Sequence, residues 1–110
     1  MLCAVIPKKK QRCSVNSVLQ DTKECYITHA TEGLHKHHIF FGTGNRKISE
    51  QNGFWVYLRS DFHNGANYGV HGKDGHALDI TLKVVCQRKY EETHSREEFM
   101  KLIGGNYIED

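Results

Sequence analysis

Leu34-His35-Lys36-His37-His38-Ile39-Phe40-Phe41-Gly42 is the stretch on which the reading of this chain turns. Its apolar, β-branched and aromatic residues, closed by a glycine, predict an extended segment from Leu34 to Phe41. It also sets three imidazoles within four residues. Upstream, Glu24-Cys25-Tyr26-Ile27-Thr28 has strand composition, and Thr31-Glu32-Gly33 forms a turn between the two runs, which predicts a hairpin or two adjacent strands. Downstream, Gly42-Thr43-Gly44-Asn45 breaks the chain, and Arg46 to Gln51 can form one or two helical turns. Asn52-Gly53 then punctuates before Phe54-Trp55-Val56-Tyr57-Leu58, the best-defined strand.

Further outward the periodicity changes. Ser60-Asp61 is a helix start, and Gly65, Gly69, Gly72 and Gly75 mark a loop expected to be flexible unless a ligand orders it. Leu78, Leu82, Val85, Cys86 and Tyr90 recur at helical spacing, so residues 77 to about 93 read as an amphipathic helix whose polar face carries Asp79, Lys83 and Glu91. A last helix opens at Ser95-Arg96-Glu97-Glu98, a capping box, buries Phe99, Leu102 and Ile103, and stops before Gly104-Gly105. The expected class is α+β. Residues 1–23 form a basic arm or irregular layer and residues 24–110 the domain proper.

With 110 residues, 38% of them hydrophobic, the chain has room for one modest core and one site. No apolar run reaches the roughly 20 residues needed to cross a bilayer. The opening Met1 to Pro7 precedes rather than follows the charges of Lys8, Lys9 and Lys10, which argues against a secretory signal. The four cysteines, at 3, 13, 25 and 86, contain no C-x-x-C pair and are expected as reduced thiols in a cytoplasm. Residues 1–48 hold eight Lys/Arg against three Asp/Glu, +5, and residues 49–110 hold seven against ten, −3. The basic front half is suited to a polyanion, although a solvated mixed surface would look the same.

Histidine is the unusual component: eight in all, seven of them between His29 and His76. Neutral imidazole is the commonest nitrogen ligand for transition metals and a proton acceptor near neutral pH. His37 and His38 are followed, past the second strand, by His63, and then by His71 among the glycines. An ion that assists phosphodiester hydrolysis needs a few ligands and open positions for water and substrate, which two or three imidazoles would leave. A separate histidine could take the proton of the attacking water. Neighbouring side chains on a strand point to opposite faces, so His37 and His38 share a cleft only if the strand twists or ends there. Gly42 and Gly44 favour such an ending. Taken singly, each histidine also fits a plainer role, half-buried and hydrogen-bonded.

The run from Leu34 to Gly42, then Asn45-Arg46-Lys47, Ser49-Glu50, Gly53 to Arg59, His63-Asn64, Val70-His71 and Leu78-Asp79, resembles a group of small phage-encoded HNH-type endonucleases over roughly residues 24–108. The resemblance implies a ββα-metal core, in which two antiparallel strands and a helix hold one divalent ion against DNA, with C-terminal helices added. It implies His37 as the first metal ligand, His38 as the general base and His63 as the ligand at the start of the short helix. His71 fits a third ligand, a substrate contact or a solvated loop residue. Many such domains carry a structural zinc on two C-x-x-C pairs. Here those places read Cys25 and Thr28, then Arg59 and Phe62, so burial of Tyr26, Trp55 and Phe62 is expected in its stead. The asparagine that orients the base has no clean match, which leaves Asn45 or Asn52, with Asn45 preferred. Arg46 and Lys47 are candidates for phosphate oxygens, and Lys8 to Arg12 for further backbone contacts.

The expected activity is therefore metal-dependent hydrolysis of DNA, with Mg²⁺ or Mn²⁺ as the first choice of ion and Zn²⁺ or Ni²⁺ as alternatives. The expected setting is the host cytoplasm, beside a protein partner in phage recombination or packaging. The rival readings are a nuclease-derived module that binds DNA or protein without cutting, such as a phage-encoded inhibitor, and a structural histidine-rich metal domain.

Overall fold

The computed structural model describes residues 16–42 and 44–108. The basic run Lys8 to Arg12, together with Cys3, Cys13 and Thr43, lies outside them. In chain order the elements are β1 (Leu34–His38), α1 (Asn45–Asn52), β2 (Trp55–Arg59), a π-helical turn (Asp61–Gly65), α2 (His76–Tyr90) and α3 (Arg96–Ile103), an α+β arrangement. No helix among the described residues is long and apolar enough to cross a membrane.

β1 and β2 pair antiparallel, with His37 opposite Val56 and His38 opposite Trp55. Because side chains alternate, His35, His37, Val56 and Leu58 share one face and Lys36, His38, Trp55 and Tyr57 the other. The ladder ends just beyond His38. Ile39 N still donates to Phe54 O, but both backbone groups of Phe40 turn to the buried hydroxyl of Ser49, which accepts from Phe40 N at 3.2 Å and donates to Phe40 O at 2.7 Å. Ser49 thereby ties α1 to the strand end, and Gly53, in the left-handed region at φ 75°, turns the chain from α1 into β2.

The first face closes over the core. Phe40, Phe54 and Phe99 are fully buried and meet edge-on or tilted, with ring centroids 5.4 to 6.4 Å apart, alongside Val56, Leu58, Leu82 and Cys86. Burial of each large side chain is worth about 2 to 3 kcal/mol. Trp55 is buried as expected, whereas Tyr26 and Phe62 only flank the core. α3 has its capping box: Glu98 N donates to Ser95 Oγ while Ser95 N donates to Glu98 Oε1. Phe99 and Ile103 are buried on it. α2 runs from His76 and ends at Tyr90, three residues short of the expected limit, with Leu82, Cys86 and Gln87 buried. Its expected polar face is only partly solvated: Asp79 and Lys83 form an ion pair with each side chain 13% exposed, and the Lys83 ammonium stands 4.5 Å from the centre of the Phe41 ring.

Two expectations are corrected. The strand expected over Glu24 to Thr28 is a turn. Cys25 N donates to Ala30 O, His29 N donates to Cys25 O, and His29 adopts φ 66°. β2 offers this segment one backbone–backbone bond, Tyr57 O accepting from Tyr26 N. Its remaining edge is covered by the irregular 17–20 segment, where Gln20 Oε1 accepts from Tyr57 N and Ser17 Oγ donates to Trp55 O.

The glycine-dense loop, read as flexible, is held by its own backbone. Val70 N donates to Phe62 O, His71 N to His63 O, Gly72 N to Gly69 O and Asp74 N to Asn67 O. Its glycines serve close approach: a Cβ on Gly75 would sit 1.8 Å from Gly69 O, and one on Gly72 2.4 Å from Ala66 O. Backbone strands this close admit no side chain between them.

Candidate metal centre

Three imidazoles from three places in the chain converge. His37 comes from the core-facing side of β1, His63 from the π-helical turn, and His71 from the loop braced back on that turn by the His71 N to His63 O bond of 2.9 Å. Their ring centroids form a nearly equilateral triangle with sides of 5.2, 5.1 and 4.9 Å. One ligand nitrogen from each lies within 4.8 Å of the other two, so His37, His63 and His71 can hold a metal ion. Among the described residues this is the one such group.

The π-helical turn is anchored at its start. Arg59 donates to both carboxylate oxygens of Asp61, at 2.7 and 2.9 Å, and Tyr68 Oη donates to the same carboxylate at 2.5 Å. The Arg59 guanidinium, followed by the Tyr68 hydroxyl, holds the Asp61 carboxyl well below the usual carboxylate range. His63 therefore projects from a segment fixed at one end by charge and at the other by the glycine loop.

The electrostatics suit a cation. His37 is 1% exposed and its Nε2 is buried without a hydrogen-bond partner. A buried ring nitrogen left without a partner is costly unless something fills the place. Burial, reinforced by His63 and His71, lowers its pKa to about 3. Burial, followed by His71 and His35, lowers that of His63 to about 4. Both rings are therefore neutral at pH 7, the form that coordinates metal. His37 is buried, His63 half-buried and His71 exposed, so the cluster is closed on the protein side and open on the other. It opens into a groove of about 280 Å³ whose lining includes His38, Phe41, Arg46 and Asn64.

His38 thus reaches the same groove from the opposite strand face, at the end of the ladder. Its Nε2 lies 2.7 Å from Glu50 Oε1 on α1, and Lys36 Nζ donates to Glu50 Oε2 at 3.1 Å. These bonds, His38 first, keep the Glu50 carboxyl below its ordinary value, so it is ionised and acts as an acceptor. The His38 ring must then carry its proton on Nε2, which leaves Nδ1 as the basic nitrogen.

Asn45, preferred as the partner of the base, does not take that place. Its side-chain amide donates to Ile103 O at 3.2 Å and ties α1 to α3. The group on His38 is Glu50 instead. Asn52, the other candidate, donates to Ile48 O within its own helix. Arg46 lines the groove, whereas Lys47 is exposed on α1 outside its lining. Cys25, the one remaining sulfur of the zinc positions, is a buried free thiol accepting from Thr28 N.

Sequence reasoning missed three contributors. Glu50 was hidden because its pairing depends on how α1 packs against β1. His35, on the face of His37, has Nδ1 3.0 Å from Nδ1 of His63. The signal for it was there, since residues two apart on a strand share a face. Phe41, 39% exposed, stands with its ring centroid 5.0 Å from that of His71 and carried no signal beyond its apolar character. Compared with known proteins, the chain matches no protein-family model, no curated protein and no solved structure.

Proposed function

We propose that this chain is a metal-dependent endonuclease that hydrolyses DNA phosphodiester bonds, a ββα-metal domain of the HNH kind in which β1, β2 and the π-helical turn carry the site. The observation that carries the reading is the three-imidazole cluster opening into a groove that it shares with a carboxylate-bound histidine, His38, and with Arg46. His37, His63 and His71 hold the ion. Three nitrogen donors suit Mn²⁺, Ni²⁺ or Zn²⁺ better than Mg²⁺, which takes oxygen ligands. When bound, the ion supplies positive charge beside the phosphate.

The chain's own residues do the rest. His38 Nδ1 takes a proton from water as its oxygen bonds to phosphorus, the bond from phosphorus to the leaving 3′ oxygen breaks, and that oxygen is protonated from solvent. Glu50 holds the His38 ring in the productive tautomer and stabilises the imidazolium that forms. Arg46 binds non-bridging phosphate oxygens. Burial of His37 against the core fixes the ligand set so that only the groove side exchanges water.

The test is cleavage of supercoiled plasmid with Mn²⁺, Ni²⁺, Zn²⁺ or Mg²⁺ against a chelator control, with wild type and His38→Ala side by side. Cleavage that needs the ion and vanishes in a folded, metal-binding His38→Ala supports the reading. Equal cutting by the variant sinks the mechanism. Tight DNA binding with no cleavage under any ion would make the chain a binding module instead.

A further inference from the structure

We propose that His35 is a positioning residue for the ion site, accepting the Nδ1–H of His63 so that the Nε2 lone pair of His63 stays free for a divalent cation. The inference rests on the metal reading above and adds a residue to it. His35 and His37 lie on the same face of β1, opposite Leu58 and Val56 in the register. His35 Nδ1 is 3.0 Å from His63 Nδ1, and the two rings meet at 85° with centroids 5.2 Å apart. His35 is exposed, and it does not belong to the trio whose ligand atoms lie within 4.8 Å of one another.

The sense of that hydrogen bond decides what His63 can do. Two neutral imidazoles sharing one bond need one N–H and one lone pair between the facing nitrogens. If His35 donates, the proton of His63 sits on Nε2 and its only lone pair is consumed by His35, so His63 has nothing to offer a cation. If His63 donates, its Nε2 is unprotonated and available. Only the second sense is compatible with His63 as a ligand. It is also the arrangement in which a metal-binding histidine gives its other ring N–H to a neighbouring acceptor, which fixes the tautomer and the ring orientation. Here the acceptor is another imidazole, supplied by the strand that also supplies His37. One strand face then contributes both a ligand and the group that orients a second ligand.

The experiment uses the full chain with Co²⁺ alone as the probe, titrated calorimetrically and followed by its visible absorption, which reports the coordination shell. The tautomer of His63 is read independently in the metal-free protein by long-range ¹⁵N correlation NMR. Wild type is expected to bind Co²⁺ and to carry the His63 proton on Nδ1. His35→Ala is expected to keep its circular dichroism, to bind Co²⁺ about 10 to 100 times more weakly, and to show His63 as a mixture of tautomers. His35→Gln, whose amide oxygen can accept the same N–H, is expected to recover most of the affinity. A wild-type His63 protonated on Nε2 overturns the proposal. So does a His35→Ala variant that binds as tightly as wild type, or one whose Co²⁺ spectrum has lost a nitrogen donor, which would make His35 a ligand. Wild type that takes up no Co²⁺ would sink the metal reading and this inference together, whereas unchanged affinity in His35→Ala sinks this inference alone.

Discussion

His37 and His38 are one peptide bond apart and live in different chemistry. His37 faces the core, 1% exposed, with an unpartnered Nε2 and two imidazoles about 5 Å away. His38 faces the other way, toward the Glu50 carboxylate of α1 and the Lys36 ammonium that steadies it. One environment strips a ring of water and leaves its Nε2 without a partner. The other loads a ring with a fixed proton and a counter-charge. The alternation of a strand separates the proposed metal ligand from the proposed base with no intervening residue, and the end of the ladder at Phe40 lets both reach one groove.

Exchanging the two residues separately is the strongest way to break that contrast. His37→Ala should abolish ion binding in a calorimetric titration, whereas His38→Ala should leave affinity within about twofold and slow plasmid cleavage by roughly 10² to 10⁴. Equal loss of ion affinity in both variants would show that the faces are not divided as described.

A second disruption removes only one side. Gly75→Ala forces a Cβ to within 1.8 Å of Gly69 O and should destabilise the fold by about 3 kcal/mol in urea unfolding. At temperatures where it stays folded, it should weaken ion binding through displacement of His71 while the His38–Glu50 bond persists. Unchanged stability would mean that the loop is looser than its hydrogen bonds indicate.

Acid sharpens the comparison, because the two faces titrate in different windows. In chelated protein the rings of His37 and His63 stay neutral down to about 3 and about 4, while in the unfolded chain they protonate near the ordinary 6.5. The unfolded state then binds more protons, so stability should fall as pH drops from 6.5 toward 4 and recover as pH rises, with a slope of at most ~1.4 kcal/mol per pH unit for each group. Glu50, whose pKa is lowered in the fold, adds its own loss only below its ordinary 4.5. Melting temperatures across pH 3.5 to 7 should show the upper window shallower in His37→Ala and intact in Glu50→Gln. Identical curves for the two variants would remove the distinction.

Smaller effects test the supports. Glu50→Gln keeps a hydrogen-bond acceptor but no charge, and single-turnover cleavage should slow about tenfold, or ~1.4 kcal/mol, with ion affinity unchanged. Ser95→Ala, in the capping box of α3, should cost about 1 kcal/mol by thermal unfolding and alter neither ion binding nor the rate of cutting per folded molecule.

What could be read along the chain was local. Strand composition located β2 to within a residue and the start of β1, though it ran β1 three residues too far, to Phe41; Gly44 and Gly53 bracketed α1, and Ser95 with Glu98 announced α3. These signals work because each depends on neighbours a few residues apart. The same local reading failed at Glu24 to Thr28, where strand-forming residues close a turn because β2 has little free edge to offer them. It failed again at the glycines, where composition cannot separate a loose loop from one whose backbones touch.

By itself the sequence determined that this is an α+β chain with an unusual concentration of imidazoles on and after one strand, and it singled out His37 and His63 as ligands while leaving the place of His71 open. Tertiary structure alone decided that His71 belongs with His37 and His63, since backbone contact between Gly75 and Gly69 and the bond from His71 N to His63 O fold that loop back. It alone gave His38 the carboxylate of Glu50 and turned Asn45 away to Ile103. The physical reason is that hydrogen bonds and ion contacts act over about 3 Å of space, whatever the separation along the chain, and only packing sets which groups come that close.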